Sequence, residues 1–135
     1  MKRFLIIPLV CLCTVVAGQT RHVTGHKKAV SKNSHPQVSY KRDILPIVTK
    51  YCLPCHTEDQ MNPSLLYLDS YDNMMAGGKH GKPVTPGKPD SSLIVQKISS
   101  TPPFGDPMPM KRKTPFPQDT LRVIRSWIEQ GAKNN

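Results

Sequence analysis

The chain has 135 residues, of which 37% are hydrophobic, 14 are proline and 8 are glycine, and its formal net charge at pH 7 is +10. That length admits one compact unit and excludes a large core. The basic charge points to acidic partners or anionic surfaces, through an association that salt weakens.

The first 18 residues read as a secretory signal peptide. Lys2 and Arg3 supply the basic start, residues 4–16 form an apolar run interrupted only by Pro8 and Thr14, and Val15-Val16-Ala17 or Val16-Ala17-Gly18 offers small residues for cleavage. The run is too short for a spanning helix; a retained N-terminal anchor is the alternative. Cys11 and Cys13 lie inside this leader, and Val10 and Leu12 before them are poor residues for a lipoprotein site. Cleavage after Gly18 would remove Lys2 and Arg3, taking the charge from +10 to +8 and the length from 135 to 117. A periplasmic or otherwise exported location is the expectation. Nucleic acid is not an expected partner, given the leader and the lack of a recognition motif.

Residues 19–37 carry Arg21, Lys27, Lys28 and Lys32 with His22, His26 and His35, and almost no apolar side chain. Such a stretch cannot bury enough surface to fold and is expected to be a basic disordered linker. The irregular spacing of its histidines favours a solvated tether over a metal site.

Residues 38–133 form the expected domain. Ile44, Ile47, Val48 and Tyr51 recur at helical spacing, with Pro46 marking a break or the first turn of a second segment. Residues 57–62 read as a loop. Leu66 and Leu68 introduce a short segment ending near Tyr71 and Asp72, and Gly77-Gly78 with Gly81 form the next loop. Pro86-Gly87 is a turn pair, and Asp90 or Ser91 is a good N-cap for a helix over residues 92–98. The proline-rich stretch 101–117 is incompatible with regular helix. Leu121, Ile124, Trp127 and Ile128 then repeat at three and four, with Gly131 as the stop. The layout is all-α, built of short helices and long loops without an internal repeat.

Within this frame Cys52-Leu53-Pro54-Cys55-His56 carries the chemistry. Two cysteines separated by two residues and followed by histidine form the attachment signature of a c-type haem. On a short helical turn both thiols reach vinyl groups of one macrocycle and become thioethers. The imidazole then sits over the iron as the proximal ligand. Two other readings compete. A redox dithiol needs an activated attacking cysteine. A zinc site needs two further ligands; with Cys11 and Cys13 lost, His56 and His80 remain, and His80 lies in a glycine-rich stretch without finger spacing. A bound macrocycle would also supply apolar volume to a chain poor in its own packing material.

A distal ligand is expected from the proline-rich loop. Methionine raises haem potential and suits electron transfer, and Met108 and Met110 flank Pro109 in Asp106-Pro107-Met108-Pro109-Met110. Met108 lies 52 residues beyond His56, enough chain to round the ring edge. Its flanking prolines would hold the thioether at little entropic cost. Met110 is the alternative, and His80 would give bis-histidine ligation. Met61 follows His56 too soon, while Met74 and Met75 suit packing.

Taken in order, several pieces resemble the small monohaem c-type cytochrome domains of planctomycete and Bacteroidetes-type exported proteins. They are Asp43-Ile44-x-Pro46-Ile47, Cys52-x-x-Cys55-His56, Leu66-x-Leu68-x-x-Tyr71 and Gly77-Gly78. Pro86-Gly87-x-Pro89-x-Ser91-x-Leu93, Met108-Pro109 and Trp127-Ile128-x-x-Gly131-Ala132 complete the set, which spans residues 40–132. The resemblance implies a cytochrome c-like fold wrapped round a covalent haem c, one per chain, with His–Met ligation. The family's methionine motif is usually Met-Pro-Pro. Here Met110 replaces the second proline, which leaves Met108 at the matching position with a neighbour that competes for iron. In cytochromes of this fold a proline carbonyl often accepts a hydrogen bond from the proximal imidazole, and Pro63 is the candidate here.

The expected function is electron transfer, with iron cycling between ferrous and ferric while both axial positions stay occupied. No general base, nucleophile or oxyanion arrangement stands out, so the chain is not read as an enzyme. Acidic redox proteins are the expected partners, with association at a membrane surface as a further one. Two alternatives stay open: a haem peroxidase or gas sensor with a labile distal ligand, and an electron-entry module docked to a larger dehydrogenase complex.

Overall fold

The computed structural model describes residues 36–135. The expected signal peptide and all but the last two residues of the expected linker lie outside the described residues.

The described path opens with a single π-helical turn, Tyr40–Ile44, that runs directly into α1, Leu45–Tyr51. Pro46 accounts for the change of pitch. It has no N–H to donate, so it fits only the first positions of a helix. The turn before it closes with wider bonds: Ile44 N–H donates to the Ser39 carbonyl at 3.3 Å, and Leu45 N–H donates to Tyr40. Ile44 and Val48 bury the inner face that the sequence spacing predicts. The helix ends just ahead of Pro54, which disfavours helical backbone at Leu53.

A second helix, α2 (Tyr71–Ala76), occupies ground that the sequence reads as the end of a segment and the start of a glycine loop. Its six residues are too few for a hydrophobic period to register. Two local features hold it. The Ser70 hydroxyl accepts the Asn73 N–H at 3.0 Å, and Met74 is fully buried beneath it.

Helix α3 (Leu93–Ile98) starts from Ser92 rather than from Asp90 or Ser91. Ser92 is buried and does not cap its own helix. Its hydroxyl accepts the Thr85 N–H at 2.9 Å and donates to the Lys88 carbonyl at 2.9 Å, so it fastens the Pro86-Gly87 turn instead.

Helix α4 (Gln118–Glu129) follows Pro117 and buries Ile124, Trp127 and Ile128, the inner face of the predicted repeat. Tyr40 lies edge-on to Tyr71 at 5.2 Å between ring centroids and 5.8 Å from Trp127, which joins the π-helical turn, α2 and α4. Among the described residues the only β feature is an isolated bridge between Gly78 and Gly81. The architecture is all-α, as the sequence predicts. The proline-rich stretch between α3 and α4 is irregular, again as predicted.

The buried hydrophobic side chains form one cluster, and a gap opens against it. Side chains of α1, α3, α4 and the intervening loops surround a mainly apolar cavity of about 310 Å³ that is partly open to solvent.

Candidate cofactor site

The Cys-x-x-Cys-His segment extends α1 by irregular turns. Cys52 N–H donates to the Val48 carbonyl at 2.8 Å, and His56 N–H donates to the Cys52 carbonyl at 3.0 Å. The cavity wall includes Cys52 and His56, whereas Cys55 is exposed and not among the lining residues. Among the described residues neither thiol is paired in a disulfide. Burial pushes the Cys52 thiol up to about 11. The attacking cysteine of a redox dithiol needs the opposite shift, so Cys52 is not suited to that role. Among the described residues no group of three or more His, Cys, Asp or Glu side chains comes together to hold a bare ion. Cys52, Cys55, His56 and His80 therefore do not assemble a zinc site.

The imidazole of His56 is engaged on one side only. Its Nδ1 lies 2.9 Å from the carbonyl oxygen of Leu66 and 2.9 Å from Nδ2 of Asn62. The expectation that Pro63 supplies the carbonyl is corrected here. Residues 62–64 form a tight side-chain-braced turn in which Asn62 Oδ1 accepts the Ser64 N–H at 3.1 Å, and the backbone carbonyl that reaches the ring is that of Leu66. The Leu68 N–H donates to the His56 carbonyl at 2.8 Å, which fixes the Leu66 carbonyl beside the ring.

The proline-rich loop brings Met108, Pro109 and Met110 to the same cavity. Met108 is half-buried; Met110 is 55% exposed. The Met108 N–H donates to the Lys97 carbonyl at 2.7 Å, while Lys97 Nζ donates to the carbonyls of Phe104 (2.6 Å) and Asp106 (2.8 Å). Beyond the methionines, Arg112 donates to the carbonyls of Ile98 at 2.8 Å and Ser99 at 2.7 Å. The last carbonyls of a helix lack partners within it, and here the loop supplies them. His80 lines the rim with its ring 4.6 Å from that of Phe104. Of the other methionines, Met61 is fully exposed and absent from the cavity wall, Met74 is core, and Met75 packs against the core.

These residues fit a haem. A cavity walled by Ile44, Ile47, Val48, Ile94, Ile98, Ile124 and Trp127 suits a flat apolar ring, and it receives a histidine and a methionine from separate segments. The Leu66 carbonyl holds Nδ1, which leaves Nε2 as the unengaged ring nitrogen. Sequence reasoning missed Leu66, Asn62, Lys97 and Arg112. Only Asn62-Pro63-Ser64 carries a local signal, as a side-chain-braced turn.

An all-α domain of short helices around such a cavity, entered by a Cys-x-x-Cys-His turn, is the arrangement that a c-type cytochrome domain would need. Residues 52–109 match the family model described as Planctomycete cytochrome C, from the first cysteine of the turn to the proline after Met108. The match supports a planctomycete-type cytochrome c domain over these residues, and such a domain suggests haem-based electron transfer. No curated protein and no solved structure matches it significantly.

Proposed function

We propose that the chain is an exported electron-transfer protein with one covalent haem c, ligated by His56 on the proximal side and Met108 on the distal side. The observation that carries this reading is that His56 and Met108, 52 residues apart, line one apolar cavity while His56 Nδ1 is already taken up by the Leu66 carbonyl. The Cys52 and Cys55 thiols would hold the group by adding S–H across its two vinyls, with no atom lost. A haem bound there supplies the ferrous/ferric couple. The chain's own part is to hold both ligands still and exclude water. The Leu66 carbonyl orients the imidazole, Lys97 and Arg112 fasten the methionine loop to α3, and the apolar wall keeps the local dielectric low.

The leader-like first 18 residues support export, and the net charge of +10, or +8 without Lys2 and Arg3, supports docking to acidic redox proteins or an anionic membrane surface. Met108 is preferred over Met110 because its backbone is bonded to α3 and its side chain is half-buried.

Periplasmic expression with maturation factors tests the reading. A c-type pyridine haemochrome that resists acid–acetone extraction is expected, and no attached haem overturns the proposal. The ferric protein should show the weak red sulfur-to-iron band, lost in Met108→Ala and retained in Met110→Ala; the reverse pattern reassigns the ligand. Rapid carbon monoxide binding to the untreated ferrous protein would favour an open-iron peroxidase or sensor instead.

A further inference from the structure

Around the proximal histidine two donors face one acceptor. His56 Nδ1 lies 2.9 Å from the Leu66 carbonyl oxygen, and Asn62 Nδ2 donates to that same oxygen at 2.7 Å while standing 2.9 Å from Nδ1. Ser64 decides which end of the Asn62 amide faces the ring. A backbone N–H can only donate, and that of Ser64 points at Asn62 Oδ1 from 3.1 Å; the Ser64 hydroxyl donates to the same oxygen at 2.6 Å. The oxygen of the amide is thus committed to Ser64, and its NH2 is turned toward His56.

This orientation matters once Nε2 is committed to iron, so the inference rests on the haem reading proposed above. A neutral imidazole bound through Nε2 carries its proton on Nδ1, and a strong acceptor there makes the ring a better electron donor to the metal. Asn62 offers the imidazole no acceptor. It brings a second donor to the one carbonyl available, which weakens the bond from Nδ1. It also sets the positive end of its amide dipole against the ring, which disfavours the more positively charged ferric state. Both effects have the same sign.

We propose that Asn62, oriented by Ser64, is a positioning residue that holds the proximal imidazole in a weakly hydrogen-bonded state and thereby raises the reduction potential of the haem. Asn62→Asp puts an acceptor oxygen where Nδ2 stands and keeps the acceptor for Ser64. Asn62→Leu removes the competing donor and leaves the Leu66 carbonyl to His56 alone. Ser64→Ala removes the hydroxyl that donates to Oδ1 and leaves only the backbone N–H of that residue to hold the amide, so its oxygen turns to the ring more readily.

The test uses the full-length, haem-loaded protein and reads two quantities: the midpoint potential by spectroelectrochemical titration, and the proton resonance of His56 Nδ1–H in the ferrous state. Asn62→Asp is expected to lower the potential and move the resonance downfield, with smaller shifts in the same directions for Asn62→Leu and Ser64→Ala. Wild-type potential and resonance in these variants overturn the proposal. So does an upfield resonance, the result of a loop merely loosened. Should Asn62→Asp fail to accumulate, Asn62→Leu and Ser64→Ala carry the test alone. A wild-type protein without attached haem defeats the underlying haem reading instead, so the two failures are distinct.

Discussion

The backbone N–H of Met108 donates to the carbonyl of Lys97 at 2.7 Å, so the end of α3 and the methionine loop behave as one piece. The same lysine returns two bonds through Nζ to the Phe104 and Asp106 carbonyls, and its ammonium lies 4.6 Å from the Phe104 ring centroid. Lys97 is thus clamped to the loop by both its backbone and its side chain, immediately before Met108.

Lys97→Met keeps the length of the side chain and removes those donors. Bonds from a charged donor contribute about 1.5–3 kcal/mol each at best, and partial exposure reduces that. A net loss of about 1.4 kcal/mol corresponds to a tenfold change in an equilibrium. The red sulfur-to-iron band of the ferric variant should weaken, and carbon monoxide should bind the ferrous variant roughly tenfold more readily. An unchanged band and unchanged binding would show that the lysine does not hold the distal loop.

A second prediction concerns Gly78, where close approach is the constraint. A Cβ there would stand 2.6 Å from the Ser64 carbonyl oxygen and 2.8 Å from the Leu66 nitrogen, both backbone atoms. Gly78→Ala must therefore push residues 64–66 away, and Leu66 carries the carbonyl beside His56. The expected loss is about 1–3 kcal/mol, in the range of other overpacked sites, read as a fall of several degrees in Tm. The His56 Nδ1–H resonance should shift as well, because the Leu66 carbonyl moves. Lys79→Ala, at the exposed neighbouring position, should change neither.

How far the sequence reveals this site depends on which atoms build it. Cys52, Cys55 and His56 are legible because the signature lies in their side chains and their fixed spacing. The face of α4 is legible because Ile124, Trp127 and Ile128 repeat at three and four over a 12-residue helix. Pro46 declares its own break. By contrast the partner of His56 is a backbone carbonyl, which every residue possesses, so nothing in the letters prefers Leu66 to Pro63. Lys97 and Arg112 look like ordinary solvated cations because their targets are carbonyls as well. Helix α2 stays hidden because six residues show no period, and its Ser70 cap is recognisable only once the helix is known.

Tyr40 offers a prediction of opposite sign. Its ring is packed against Tyr71 and Trp127, yet its hydroxyl is buried with no hydrogen-bond partner among the described residues. Tyr40→Phe removes that unpaired group and leaves the packing, so stability at neutral pH should be unchanged or higher by up to about 1 kcal/mol. Burial, followed by the charges of Asp69 and Asp72, raises the Tyr40 pKa above the ordinary value of 10.0. A raised folded-state pKa means that the contribution is fully present below pH 10 and lost as pH climbs through the folded value. Chemical denaturation between pH 9 and 11 should show the wild type losing more stability than Tyr40→Phe. Equal losses in the two proteins would assign the alkaline transition to other groups.

The cavity makes the strongest claim on stability. Left without its ring, a mainly apolar space of about 310 Å³ leaves its lining side chains without packing partners. An ordinary domain has only about 5–15 kcal/mol of folding free energy to set against such a loss. A Cys52→Ala/Cys55→Ala chain produced without haem should therefore keep part of its helical far-ultraviolet signal, lose a sharp thermal transition and bind a hydrophobic dye. Trp127 is the sole tryptophan and lines the cavity, so its environment reports the change directly. Its near-ultraviolet signal should be fixed in the haem-loaded protein and averaged away in the haem-free one. A haem-free chain that unfolds cooperatively at the same Tm would mean that the helices pack without the ring, and that the cavity is not where the ring's stabilising contribution lies.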